Sequence, residues 1–367
     1  IAATFVFGGL TVQHQALLRR QMQFRQLAII QVISFAVGVA AAVGVAFLTR
    51  SYWALVCLPA GMAVANTLGV WIASGWMPGR PRRGTGVMPM LKFGGNLTVS
   101  NFLHYLIRNT DNVLIGAVLG APQLGVYSKA YSLLLMPMRQ LNRPMTAIAV
   151  PALSRIQYDT VRYRRTFRIM TEAITMAGMP IVAFAFVNAH LLVQVFLGDQ
   201  WTEAVLVFRC LAPAAFVGTL SVVPLWLCVS LGNTRRQLRW TAFAAPTIIF
   251  ILFASVGHGV VAVALSFSIS WSLLHILFIW YASTGTSVRP FDVLDACWRQ
   301  ALSSCVGMAA VQVLHLQWSG PPMLSLVVAM GIFASTTIAA MAALPGGCFR
   351  IQRMLFMLNA GRRPASL

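Results

Sequence analysis

Residues 259–281 read GVVAVALSFSISWSLLHILFIWY, a run of 23 residues without Lys, Arg, Asp or Glu. At a rise of 1.5 Å per residue, an α-helix of this run is about 34 Å long. This length matches the hydrocarbon core of a bilayer, which is about 30 Å thick. Trp280 and Tyr281 end the run, as aromatic residues often do at a membrane–water interface. The stretch therefore predicts a transmembrane helix.

Apolar runs of similar length recur along the whole chain. Of its 367 residues, 58% are hydrophobic and 9% are charged, whereas soluble domains carry about 25% charged residues. Strand-like alternation is absent, which excludes a membrane β-barrel. We predict an all-α polytopic membrane protein with one partial transmembrane helix at 1–12 and ten complete ones. The complete spans are 27–48, 53–74, 95–119, 122–150, 169–188, 203–229, 238–256, 259–281, 297–316 and 322–344.

The connections between these spans explain most of the net charge of +20. Alternate connections carry 20 Lys and Arg residues, and the connections on the other side carry one, Arg50. This bias predicts that the basic connections and the C-terminal tail are cytoplasmic. Basic residues in such loops are typical of contact with anionic membrane lipids. They accompany no nucleic-acid-binding motif, so nucleic acid is not an expected partner.

Motifs of enzymes and cofactor sites are absent from the sequence. The six cysteines form no CxxC pair and predict neither a disulfide nor a metal site. Walker, HExxH and GxSxG motifs and clustered acidic residues are also missing. We therefore expect no catalytic residue, no cofactor and no metal. Residue 1 is Ile inside an apolar run, from which we expect a further segment upstream.

Five cations lie within predicted spans, beyond the first and last turns: Arg108, Lys129, Arg139, Arg143 and Arg209. A charged side chain that faces lipid near a helix centre costs about 2.5–3.5 kcal/mol, so such residues usually face a protein interior or a wet cavity. Snorkelling to the interface is an alternative for Arg143 and Arg209, which are nearer to a helix end.

Asp111 is the one acidic residue deep inside a predicted span, three residues after Arg108. This spacing permits an ion pair within the helix. We expect that pair when the site is empty, with participation of Asp111 in ion coupling as the other interpretation. The pair would still leave Lys129 and Arg139 in need of water or an anionic partner.

Polar residues accompany these charges on two consecutive predicted helices, and those of the first helix follow steps of three and four residues, which place them on one face. Arginine offers a forked donor that suits phosphate oxygens, and lysine offers a compact cation. We therefore predict a hydrophilic cavity for an anion with hydroxyl-rich parts. The predicted cavity residues are Asn101, Tyr105, Arg108, Asp111, Asn112, Lys129, Tyr131, Arg139 and Arg143.

Four segments resemble the bacterial polysaccharide flippases, and most closely the Wzx/WzxC-type branch of the MOP exporter superfamily. They are QALLRRQMQFRQLAIIQVIS (15–34), the segment from Phe93 to Gln157, FLGDQWTEAVLVFRCLAP (196–213) and LGNTRRQLRW (231–240). The resemblance extends from near the start of the chain to about residue 281. It is most specific in the segment that carries the predicted cavity residues.

The resemblance implies a MOP-type bundle of two six-helix lobes with two additional helices. On this view, three helices and most of a fourth lie upstream. Residues 1–92 complete the N-terminal lobe and a cytoplasmic linker, 93–281 form the C-terminal lobe, and 282–367 form the helix pair and a basic cytoplasmic tail.

The resemblance also implies a function without enzymatic activity. It predicts a flippase of the bacterial inner membrane that moves undecaprenyl-pyrophosphate-linked oligosaccharides to the periplasmic leaflet by alternating access. Polysaccharide polymerase and chain-length machinery are the implied protein partners. The alternatives are an exporter of another amphiphile (a peptidoglycan precursor or a drug), a membrane-embedded glycosyl polymerase or ligase, and an inactive gene remnant.

Overall fold

The computed structural model describes residues 3–49, 53–77, 79, 88–318, 320–350 and 352. Over these ranges the chain forms thirteen α-helices and one short 3₁₀ helix, and no strand. The helices belong to two compact units, Ile1–Gly86 and Val87–Leu367.

The first unit is a bundle of three helices in which glycines allow a close crossing. A Cβ atom added to Gly38 would lie 2.8 Å from the carbonyl oxygen of Leu58, and one added to Gly61 would lie 3.2 Å from the Cα atom of Gly38. The second and third helices therefore approach each other at positions that larger side chains would block. The three helices are α1 (Ala3–Arg20), α2 (Phe24–Thr49) and α3 (Trp53–Ser74).

The second unit contains ten α-helices. Their bounds are α4 (Met88–Val118), α5 (Ala121–Arg155), α6 (Thr160–Val187), α7 (Ala189–Leu197), α8 (Glu203–Gly218), α9 (Val223–Ser230), α10 (Thr234–Val256), α11 (Val260–Ser283), α12 (Pro290–Gln317) and α13 (Pro322–Ala343). The 3₁₀ helix spans Asp199–Trp201. α4 packs on α10, α5 and α11 pack on α8, and α6 packs on α12. Buried Tyr127, Phe208 and Trp226 are among the largest core side chains.

The structure confirms the predicted class, an all-α polytopic membrane protein. Seven segments are long and apolar enough to cross a membrane, namely α2, α3, α6, α8 with α9, α10, α11 and α13. The other three complete spans predicted from the sequence coincide with α4, α5 and α12, which are 31, 35 and 28 residues long and carry more charged and polar side chains.

The predicted span at 203–229 is confirmed as one membrane-crossing segment, Glu203–Ser230, and a turn within it separates α8 from α9. Pro224 has no N–H to bond the carbonyl four residues earlier, and its ring crowds that carbonyl, which favours a break at this point. That carbonyl belongs to Leu220, and it accepts hydrogen bonds from the Val223 N–H at 3.0 Å and from Nε2 of His275 at 3.2 Å. The break thus leaves no unsatisfied carbonyl at this point.

Part of the predicted topology lies outside the described residues. The two-lobe arrangement and the boundaries at residues 92 and 281 remain predictions. The basic positions that lie outside the described residues are Arg50, Arg80, Arg82, Arg83, Arg353, Arg362 and Arg363.

Candidate functional site

All the predicted cavity residues lie on α4 and α5, which form a helical hairpin in the second unit. The turn between the helices contains Gly120 with φ +86°, a conformation that glycine adopts without strain. Pro122 lies in the first turn of α5, where a missing N–H costs no helical hydrogen bond. This turn places the polar faces of the two helices next to each other.

α5 has an exposed face that is almost entirely polar. Lys129, Arg139 and Arg143 lie on it, within a sector of about 80° at 3.6 residues per turn. Met136 is the one apolar residue among the exposed positions from 129 to 143. Those positions are Lys129, Ser132, Met136, Arg139, Gln140 and Arg143. Because each cation near the middle of a membrane helix is costly in hydrocarbon, this face favours contact with water.

α4 continues the polar surface with Asn101, Tyr105 and Arg108, all of which are exposed. Asn112 follows on the same face and is half-buried. The exposed apolar residues Phe102 and Val113 lie about 100° further around the helix. α4 therefore has distinct polar and apolar exposed faces.

Tyr131 lies where the two polar faces meet. The side chain is half-buried and stacks on Tyr127 with ring centroids 5.9 Å apart. Tyr131 therefore links the buried Tyr127 to the polar surface of the hairpin.

Asp111 lies inside the second unit and does not join the exposed face. Its carboxylate is fully buried and accepts a hydrogen bond of 2.8 Å from the Tyr127 hydroxyl and one of 2.8 Å from the Asn112 N–H. Among the described residues, Asp111 has no ion pair within 4.0 Å, so the expected pair with Arg108 is not formed. The physical reason is that Asp111 points toward the core, where Tyr127 supplies a buried donor, while Arg108 is exposed.

The remaining predicted residues have separate surroundings. The ammonium group of Lys129 lies 6.0 Å from the ring centroid of Trp201, in the range of a cation–π interaction. Asn101 and Arg143 form no side-chain hydrogen bond or ion pair with any residue that the structure describes. Arg143 is therefore an exposed cation on the α5 face without a protein partner in the described ranges.

Sequence reasoning missed two contacts of this site and the partners within a buried polar cluster beside it. Tyr127 is one of the polar residues of the second predicted helix, but its bond to Asp111 was not predicted, and Trp201 was not predicted to lie beside Lys129. Ser100 donates to Thr241 at 3.1 Å between α4 and α10, and Nε2 of His104 is 3.4 Å from the same hydroxyl. The polar residues of α4 were a visible signal, but their partners are more than 130 residues away in sequence.

These features define a polytopic α-helical membrane protein with a hydrophilic, cationic surface on one helical hairpin. In the described ranges, no group of three His, Cys, Asp or Glu residues is placed to hold a metal ion.

Comparison with known proteins gives the family. Residues 1–206 match the family model described as "Polysaccharide biosynthesis protein", which covers more than half of the chain. The chain belongs to this family. The predicted resemblance to Wzx/WzxC-type polysaccharide flippases is therefore confirmed.

Three relatives have names that bear on this family. The chain is 24% identical over 294 residues to the lipopolysaccharide biosynthesis protein WzxC of Escherichia coli strain K12, covering 80% of this chain and 58% of that protein. It is 25% identical over 226 residues to the teichuronic acid biosynthesis protein TuaB of Bacillus subtilis strain 168, covering 61% and 46%. It is 23% identical over 189 residues to the succinoglycan biosynthesis transport protein ExoT of Rhizobium meliloti strain 1021, covering 52% and 38%. The chain thus matches about half the length of these relatives.

Proposed function

We propose that this protein is an exporter that translocates undecaprenyl-pyrophosphate-linked oligosaccharide units across the bacterial inner membrane. The observation that carries the proposal is the exposed polar face of α4 and α5, with four cations and no ion pair within 4.0 Å among the described residues. The family and the names of WzxC and ExoT support a role in polysaccharide biosynthesis and transport.

The chemistry of the face suits a pyrophosphate group attached to sugars. Arg108, Arg139 and Arg143 supply forked donors for phosphate oxygens, and bidentate contacts of this kind are strong. Amide and hydroxyl groups such as those of Asn101 and Tyr105 can bond sugar hydroxyls. The polyprenyl tail is apolar, so it can stay in lipid without contacting this polar face. A positive face also disfavours the export of drug-like cations.

The four cations are spread along the membrane normal. From Lys129 to Arg143 the helix rises by about 21 Å. In the proposed orientation, Arg139 and Arg143 capture the pyrophosphate in the cytoplasmic half, Arg108 holds it near mid-membrane, and Lys129 receives it in the outer half. Such a series lets the substrate move between sites during alternating access.

Other parts of the proposal follow from the predicted topology. The C-terminal tail is cytoplasmic, and 93–281 form one lobe of the exporter. Asp111, buried on Tyr127, is the candidate for ion coupling. The exported unit is then a substrate for polysaccharide polymerase and chain-length machinery.

Complementation tests the role of the face. In a strain lacking the gene, we expect Arg108→Ala and Arg139→Ala each to reduce surface polysaccharide about tenfold or more, because a charge-assisted contact to phosphate is lost. Arg139→Lys keeps the charge but not the fork and should show an intermediate loss.

Arg162→Ala is the matched control, since Arg162 is exposed at the start of α6 and is not part of the polar face of α4 and α5. It should leave polysaccharide output near wild type. If Arg108→Ala and Arg139→Ala both give normal surface polysaccharide at normal protein levels, the site assignment is wrong.

A further inference from the structure

An open, basic cleft lies at the N-terminal end of α6, and none of its lining residues belongs to the α4–α5 hairpin. Its volume is about 740 Å³. Its charged lining consists of Arg164, Arg165, Arg168, Arg350 and one carboxylate, Glu172. Residues from α6 and from the segment after α13 thus build the cleft together.

Carboxylates in and next to the cleft pair with three of its four arginines. Arg164 donates to both carboxylate oxygens of Asp292, at 2.7 Å from Nε and 2.8 Å from Nη2. Arg168 pairs with Asp295 and lies 3.8 Å from Asp292. Arg350 pairs with Glu172. The guanidinium groups are therefore fixed by the protein before any ligand binds.

The positive charge of the cleft is not fully balanced. Four arginines line the cleft, whereas three carboxylates pair with them, and one of these, Asp295, is shared with Arg299 at 3.3 Å. Arg165 lines the cleft and has no carboxylate within 4.0 Å among the described residues. An anion in the cleft could therefore bind Arg165 without competition from a carboxylate. It could also accept hydrogen bonds from N–H groups of the neighbouring arginines that are not used in ion pairs.

Apolar side chains border the same cleft. Phe349 is 68% exposed and Val161 is 78% exposed, and both line it. Ile169, where the predicted membrane span begins, is a further lining residue. This combination of fixed guanidinium groups and exposed apolar surface at the predicted cytoplasmic interface is suited to an amphiphile with a phosphate headgroup.

We propose that this cleft binds a phosphate-bearing anion, and that the anion is the headgroup of an anionic phospholipid of the cytoplasmic leaflet. Arg165 makes the contact that no carboxylate occupies, and Arg164 and Arg168 line the same cleft within one helical turn of it. The bound headgroup joins α6 to the segment after α13. This site is independent of the proposed transport substrate on α4 and α5.

Thermal unfolding of the purified full chain in detergent tests the proposal. Phosphatidylglycerol should raise the Tm of the wild-type protein, because a ligand that binds the folded state stabilises it. Phosphatidylcholine with the same acyl chains should have little effect. Arg165→Gln should weaken the apparent affinity for phosphatidylglycerol by about tenfold, as expected when a charge-assisted contact is removed.

Arg162→Gln is the matched control, because it removes the same charge from an exposed side chain three residues away that does not line the cleft. It should respond to phosphatidylglycerol as the wild type does. Equal losses in Arg162→Gln and Arg165→Gln would show non-specific attraction and would overturn the proposal, as would equal effects of the two lipids.

Inorganic phosphate distinguishes the source of the anion. Stabilisation by millimolar phosphate that depends on Arg165, without any effect of phosphatidylglycerol, would overturn the lipid assignment in favour of a soluble phosphate. Since Arg165 has no ion pair in the described ranges, we expect Arg165→Gln without lipid to unfold at the wild-type Tm. Native mass spectrometry of retained phosphatidylglycerol gives a second readout, with fewer bound lipids in Arg165→Gln than in Arg162→Gln.

Discussion

α5 and α11 belong to the same unit, and their exposed faces have opposite chemistry. Between positions 129 and 143, α5 exposes three cations, a serine and a glutamine around a single methionine. α11 exposes only apolar residues over most of its length. They are Leu265, Ile269, Leu273, Ile276, Leu277 and Trp280.

The difference between these faces identifies their surroundings. The apolar face of α11 is what a helix presents to acyl chains. The face of α5 would be expensive there, because each cation near the helix centre costs about 2.5–3.5 kcal/mol in hydrocarbon. We infer that α5 borders an aqueous, anion-accepting space while α11 borders lipid.

The largest expected effect comes from moving a charge onto the lipid face. Leu273→Arg places an arginine at the middle of α11 and should reduce the amount of protein in the membrane severalfold, because insertion loses about 2.5–3.5 kcal/mol. Ser132→Arg adds the same side chain to the α5 face and should be tolerated. Quantitative immunoblotting of membrane fractions measures both, with Leu273→Ala as the control for lost packing. Equal levels of the two arginine variants would contradict the distinction between the faces.

A smaller effect, on stability, is expected for the buried pair of Asp111 and Tyr127 and not for the exposed polar face. Asp111→Leu leaves the buried Tyr127 hydroxyl without its acceptor, which should lower the free energy of unfolding by about 1–3 kcal/mol. Asp111→Asn keeps an acceptor and should cost less. Arg108→Leu, on the exposed face, should hardly change stability. Denaturant titration in detergent measures all three variants.

The buried pair also has an internal control. Tyr127→Phe combined with Asp111→Leu removes both polar partners and should recover part of the lost stability. If the double variant is as unstable as the sum of the single changes, the hydrogen bond between these side chains does not contribute as described.

The smallest expected effect is on the pH dependence of stability. It concerns arginines that pair with carboxylates, in contrast to the arginines on the exposed face of α5. Burial alone would raise the pKa of Asp292. Hydrogen bonds from Arg164 and from the Arg289 N–H, together with the positive charges of Arg164 and Arg168, have the opposite and larger effect. The pKa of Asp292 is therefore below its ordinary value of 3.8. A lowered pKa stabilises the fold above the ordinary value, and this contribution is lost as the pH falls through the lowered pKa. The Tm should therefore be insensitive to this group from pH 5 to pH 8 and fall below about pH 4.

Asp292→Asn is the test of that pH dependence. This variant should have a lower Tm at pH 7 and a smaller further decrease below about pH 4 than the wild type, because one ionisable partner is gone. An unchanged acid response in the variant would mean that Asp292 does not contribute to it.

Much of the fold could be predicted from the sequence because hydrophobic length is a local property. The predicted span 53–74 has the same bounds as α3, and the predicted span 322–344 differs from α13 by one residue. The break before α9 was not predicted, because a proline by itself does not show where a helix ends. Pro213 and Pro246 lie within continuous helices, whereas Pro224 lies at the start of a new one. Sequence alone does not show which proline finds a partner, here His275, for the carbonyl that it frees.

The site was predictable in part for the same reason. The steps of three and four residues placed Asn101, Tyr105 and Arg108 on one face, and these residues are exposed together. The partner of Asp111 could not be predicted, because spacing within a helix favours Arg108 while the packing of α5 supplies Tyr127. The pairs of Arg164 and Arg168 with Asp292 and Asp295 were missed because some 127 residues separate the partners.

Water access to the two helix faces tests the central claim most directly. In a cysteine-free background, Ser132→Cys and Gln140→Cys on α5 and Leu273→Cys and Ile276→Cys on α11 are reacted in native membranes with a charged, water-soluble maleimide. We predict rapid labelling of the α5 positions and little labelling of the α11 positions. Labelling of α11 as fast as α5, or no labelling of α5 in either transport conformation, would contradict the account.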